Sequence, residues 1–226
     1  MSINVARLFI LGTTAWGLGV FPPNLPASSQ PTSLQAAASS KSFVNSRAQL
    51  TGDLADNYSD FSFQYPGNWR LDPVAGKPGA KNFVKVERIM EDETGRFTQE
   101  NLAVGWFTGV NESGEGREKK FKELVKIFDD QLKPNFPEYQ KVSEGKTKIR
   151  AYEGYEFKFS SFVKGTRKGD VYLWGRVVFL PNNDTSGKGV ILIMLTSSLA
   201  PEIKGVADIG VKGELPVILN SFKLGL

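Results

Sequence analysis

Six consecutive residues, Val190-Ile191-Leu192-Ile193-Met194-Leu195, carry no polar side chain. The run is too short for a stable helix, and Gly189 and Thr196 bound it, so it reads as a strand with apolar side chains on both faces. Such a strand has to be covered on both sides. It belongs at the centre of a sheet, with a further layer packed on each face.

The neighbouring segments supply that sheet. Tyr155, Phe157 and Phe159 alternate with Glu156, Lys158 and Ser160. After a basic turn from Gly165 to Gly169, the ten residues Val171 to Leu180 form the second arm of a hairpin. Earlier in the chain, Phe61-Ser62-Phe63-Gln64-Tyr65 places three aromatics on one face, and Pro66-Gly67 then turns the chain toward Trp69. Strands are also expected at 83–89 and 102–108, where Leu102, Val104 and Trp106 share a face.

Two segments change period. Between 118 and 132, Phe121, Leu124, Val125, Phe128 and Leu132 form one helical stripe, preceded by a Gly- and Glu-rich loop over 111–116 and stopped by Pro134. The opposite face, with Lys119, Lys120, Lys122, Lys126, Asp129 and Asp130, reads as solvated. From 213 to 222, Leu215, Ile218, Leu219 and Phe222 return to helical spacing, and Pro216 is tolerated in the first turn. The fold class is therefore α+β, with a mainly antiparallel central sheet covered by two helices distant in sequence.

The N-terminus has another character. No Asp or Glu precedes Asp53, and Arg7 leads into the uncharged, apolar run 8–21. Fourteen helical residues reach only ~21 Å, short of a ~30 Å hydrocarbon core, so the run reads as the h-region of an export signal. The Pro-, Ser- and Ala-rich stretch that follows cannot bury enough surface to fold. Cleavage is expected after Ala38 or after Ala27. The domain organisation is thus 1–38, signal peptide and linker, then 39–226, a single domain.

Chemistry is constrained by omission. The chain has no Cys and no His, which removes thiolate nucleophiles, disulfides, imidazole triads and Cys/His metal sites. The net charge of +4 (28 basic less 24 acidic residues) is dispersed among acids, so nucleic-acid binding is not expected. Asn182-Asn183-Asp184-Thr185-Ser186-Gly187 resembles the start of a calcium loop, but its twelfth position is Ile193 instead of Glu, leaving a turn. Ser186-Gly187-Lys188-Gly189 lacks what a Walker loop requires. Glu91-Asp92-Glu93 and Asp129-Asp130 diverge as sequence neighbours and read as solvated charge. No catalytic residue, metal ligand or cofactor is expected, and no cofactor-binding residue can be named. Acceptor patterns for glycosylation at Asn57, Asn111 and Asn183 matter only in a host that glycosylates.

The aromatic strand entering Tyr65-Pro66-Gly67-Asn68-Trp69, the mid-chain helix, the meander of long strands and the ending Val217-Ile218-Leu219-Asn220-Ser221-Phe222-Lys223 resemble the PsbP-like proteins, over about residues 50–225. The resemblance implies an α/β/α sandwich without catalytic machinery. It also implies a role as an accessory protein of photosystem II, a Ran-binding protein or a bacterial envelope protein. The export signal argues against the nuclear branch. Some photosynthetic members bind metal through His, and cyanobacterial members are commonly lipoproteins; a chain without His or Cys departs from both patterns.

One surface patch is a candidate for contact. Lys146, Lys148 and Arg150 repeat at period two, and Lys164, Arg167 and Lys168 occupy the hairpin turn; if strands around Ala151 and Phe162 pair, the six form one basic surface for an acidic protein or an anionic membrane. The expected function is that of a non-enzymatic, monomeric accessory protein in the thylakoid lumen or periplasm. Its expected partner is a protein or membrane-protein complex such as photosystem II, with peripheral membrane association. The alternative is a small-ligand-binding or hydrolytic envelope protein, with a cleft between sheet and helix lined by Tyr65, Trp69 and Trp106.

Overall fold

The computed structural model describes residues 39–182 and 186–225; the export signal, both cleavage points and Asn183 lie outside them. The chain runs β1 (Ser40–Val44), α1 (Asp53–Asp56), β2 (Phe61–Pro66), β3 (Arg70–Leu71), β4 (Val84–Asp92), β5 (Gly95–Phe107), α2 (Gly114–Leu132), β6 (Gln140–Ile149), β7 (Tyr152–Thr166), β8 (Gly169–Pro181), β9 (Gly189–Ser197), α3 (Leu215–Ser221) and β10 (Lys223–Leu224).

Seven strands make one antiparallel sheet in the order β3-β4-β5-β9-β8-β7-β6. The apolar run from Val190 lies in β9, the fourth and central strand, and every residue from Val190 to Met194 is buried. Side-chain alternation then divides the interior into two cores. Ile191 and Ile193 join Phe107, Val177, Phe179, Tyr155, Phe157 and Phe159 beneath α2, whose stripe Phe121, Leu124, Val125, Phe128 and Leu132 is buried throughout. Phe179 is the hub of this core, with ring centroids 5.3 Å from Phe128 and 5.9 Å from Phe107. On the opposite face Val190, Leu192 and Met194 join Leu102, Val104, Trp106 and Val178 against β2 and α3.

The structure corrects the single-sheet reading on this second face. The aromatic strand β2 is not part of the large sheet. It pairs antiparallel with β1 and β10 in a three-stranded sheet that, together with α3, forms the covering layer. Its inward aromatics Phe61 and Phe63 stack on Phe222 from the chain's end, at 5.9 and 6.4 Å. The layer expected to be a helix alone is thus a small sheet plus a seven-residue helix. The mid-chain helix begins at Gly114, inside the expected loop, because its first turn lies outside the apolar stripe and carries no hydrophobic signal.

Candidate functional site

The six basic residues do not form one surface. β6 and β7 pair in a hairpin, with Ile149 opposite Tyr152, so Ala151 is in its turn and not in a strand. Phe162 pairs with Tyr172 of β8. Lys146 sits opposite Tyr155, nine residues along β7 from Lys164, which separates them by ~30 Å at the usual rise per residue. Lys146, Lys148 and Arg150 therefore occupy one end of the sheet, and Lys164, Arg167 and Lys168 the other.

Lys164 and Lys168 of the second group pair with acids remote in sequence, and Arg167 reaches a backbone carbonyl. Lys168 pairs with Asp92, and Arg167 donates to the Thr94 carbonyl at 3.3 Å, so the β7–β8 turn lies against the β4–β5 turn with its Glu91-Asp92-Glu93 run. Bonds from Lys168 and Thr94 pull the Asp92 carboxyl down to about 2. Lys164 pairs with Glu138 at 2.8 Å and lies 5.6 Å over the Phe162 ring. This end is a charge-matched junction between two hairpins.

The first group faces a groove. An open concavity of about 550 Å³ lies between the N-terminal turns of α2 and the β6–β7 hairpin, lined by Arg117, Glu118, Phe121, Lys146, Lys148 and Tyr155 among others. Its apolar floor comes from Phe121 and Tyr155, whose rings stack at 5.7 Å. Burial pushes the Tyr155 hydroxyl up, and the Glu144 charge adds to that. On the rim, Lys146 reaches Glu118 at 3.0 Å and Lys148 reaches Glu153 at 3.8 Å. Bonds from Lys122 and Lys146 hold the Glu118 carboxyl below its usual range. Arg117 donates from Nε to the Glu112 carbonyl at 2.8 Å and makes no ion pair among the described residues. Exposed pairs of this kind contribute little and exchange partners readily. Arg150 is turned away from the rim, donating to the Phe222 carbonyl at 3.4 Å from a left-handed backbone position, φ 55°.

The alternative cleft is filled. Tyr65, Trp69 and Trp106 are all buried in the core beneath α3, and Trp69 Nε1 donates to Glu214 Oε2 at 2.6 Å. A concavity between sheet and helix does exist, but on the other face of the sheet and against other residues.

Sequence reasoning missed a buried charge network. Glu100 is fully buried beside Arg88, at 2.9 Å, and its carboxylate accepts from the backbone N–H groups of Glu214 and Leu215 at the start of α3. Arg88 also reaches Glu202 and, at 3.5 Å, Glu214. Burial works to lower the Arg88 pKa, but the bonds to Glu202 and Glu100 outweigh it and the value rises. The register shift between Arg88 and Ile89 brings Glu100 opposite Arg88. Nothing in the local string Gln99-Glu100-Asn101 announces this. No group of three or more acidic residues able to hold a metal ion occurs among the described residues.

No family model matches the chain, and no curated protein matches it. Solved structures similar to it include LpqN, involved in cell envelope biogenesis of Mycobacterium tuberculosis, at 12% identity and a TM-score of 0.45, covering 83% of this chain and 92% of that one. Cyanobacterial PsbP of Synechocystis is also among them, at 13% identity and a TM-score of 0.45, covering 87% and 98%. So is the Ran-binding protein Mog1p of Saccharomyces cerevisiae, at 10% identity and 0.40, covering 83% and 96%.

Proposed function

We propose that this protein is a non-enzymatic accessory protein of an extracytoplasmic compartment, lumenal or periplasmic, that binds an acidic protein surface through the groove between α2 and the β6–β7 hairpin. The observation that carries the reading is an apolar floor, Phe121 and Tyr155, flanked by Arg117 on the α2 side and by Lys146 and Lys148 on the hairpin side, three basic side chains against the two acids Glu118 and Glu153. The floor is itself packed into the core and fixes the shape of the groove, while the charges on its two sides steer approach and set orientation. Export is supported by the acid-free, apolar N-terminus, and the accessory role by the resemblance to PsbP-like proteins. No helix among the described residues is long and apolar enough to cross a membrane. Photosystem II is the partner this resemblance favours where the source is photosynthetic.

The test is association with the native membrane fraction across a salt series. Binding should weaken steeply as salt rises, and the double variant Arg117→Glu/Lys148→Glu should lose it while Arg167→Glu keeps it. Equal retention by all three proteins would remove the groove from the account.

A further inference from the structure

The sheet has two edges, and they differ. β3 has two residues, whereas β6 has ten, is paired along one side by β7, and exposes or half-exposes every residue from Gln140 to Lys148. No other backbone partner of β6 occurs among the described residues. A long free edge invites pairing with another strand, and lysines on such an edge usually discourage it. Here the order of charges does the opposite.

We propose that β6 pairs antiparallel with β6 of a second copy of this chain, about a two-fold axis at Gly145, joining the two large sheets edge to edge. In this register Glu144 stands opposite the partner's Lys146 and Lys146 opposite the partner's Glu144, on the face that carries α2. That face is set by the intramolecular contacts: Lys146 lies opposite Tyr155 and reaches Glu118 of α2, and Tyr155 donates to Glu144 at 3.5 Å. On the other face Ser143 meets the partner's Thr147. Directly opposed unlike charges and Ser–Thr pairs both favour an antiparallel pairing. At the axis Gly145 meets itself, and a Cβ there would find open space, so nothing obstructs close approach of the two backbones. Moving the axis by one residue weakens the match: about Glu144 the two Glu144 carboxylates oppose each other and no unlike pair forms, and about Lys146 the two Lys146 ammonium groups oppose each other beside two Glu144–Lys148 pairs, whereas the axis at Gly145 sets no like charges opposite. An isologous contact of this kind closes after two copies. The monomer expected from the sequence is then the dilute form.

The inference shares Lys146 with the partner-binding reading, but its test reads self-association of the purified protein with no partner present and leaves Arg117 and Lys148 untouched, so either reading can fail alone. Sedimentation equilibrium of the purified protein over a concentration series should give a reversible dimer. Glu144→Lys and Lys146→Glu, each creating two like-charge oppositions, should each raise the dissociation constant by about tenfold or more. The exchanged variant Glu144→Lys/Lys146→Glu should restore it. A mixture of the two single variants should form a heterodimer more readily than either forms a homodimer. Circular dichroism should be unchanged throughout, because both side chains are on the surface. A monomer up to ~1 mM, or a dimer indifferent to the single variants, or failure of the exchanged variant to recover, overturns the proposal.

Discussion

Replacement of Glu100 tests whether a buried carboxylate organises the covering layer. Three things are lost in Glu100→Ala: the acceptor for the Glu214 N–H at 3.1 Å, the acceptor for the Leu215 N–H at 3.4 Å, and one of the acidic partners of Arg88. Loss of a helix cap costs about 1 kcal/mol. A buried donor left without an acceptor costs about 1–3 kcal/mol. Removing one side of a buried ion pair costs about 3–5 kcal/mol, but Arg88 keeps Glu202 and Glu214, so the low end applies and overlaps with the other losses. We expect about 3 kcal/mol for Glu100→Ala. Glu100→Gln retains an oxygen for the helix N-terminus and should cost about half as much. Urea unfolding gives both values from the shift in midpoint at constant slope. Amide exchange should accelerate first in 215–221. A cost below about 1 kcal/mol for Glu100→Ala, or equal costs for Ala and Gln, would refute the capping argument.

Phe179→Ala removes the ring at the hub of the α2-side core and should destabilise by about 3–5 kcal/mol in the same unfolding assay. Gly175→Ala should also destabilise, by about 1–3 kcal/mol, because its Cβ would stand 2.1 Å from the Phe159 ring. For Asp92, the folded pKa of about 2 lies below the ordinary ~3.9, so its contact with Lys168 stabilises above pH ~4 and is lost as pH falls through 2. Lys168→Gln should move the Asp92 carboxyl back up toward the ordinary value, measured by NMR titration.

Much of the architecture could be read from local pattern, since burial on both faces leaves a mark on composition. The run in β9 announced a central strand, and the five-residue stripe in α2 announced the helix and the face it buries. What escaped depends on partners remote in sequence. Alternation in β2 says which side is buried but not which sheet the strand joins, and β1, with four of its five residues exposed and a single aromatic at Phe43, carries too little hydrophobic signal to be recognised. The basic residues suffered the same ambiguity. Period two places Lys146 and Lys148 on one face, yet only the hairpin register shows that Lys164 lies at the far end and that Asp92 neutralises Lys168. Arg117 went unnoticed because it lies between the expected loop and the expected start of the helix at 118, outside the apolar stripe, and only the longer helix places it beside the groove. Glu100 is the sharpest case: its burial is made affordable by Arg88 and by two N–H groups more than a hundred residues later.

The three-stranded sheet ties the two ends of the domain together, since β2 is flanked by β1 from its beginning and β10 from its close. The buried residues of the α2-side core all fall within 103–193, so that core can assemble while the chain is still emerging. The opposite core must wait for Phe222 and Leu224. Until those last residues are free, the aromatic face of β2 has no lid, so a truncated or stalled chain would present Phe61 and Phe63 to quality-control proteases as an unfinished product.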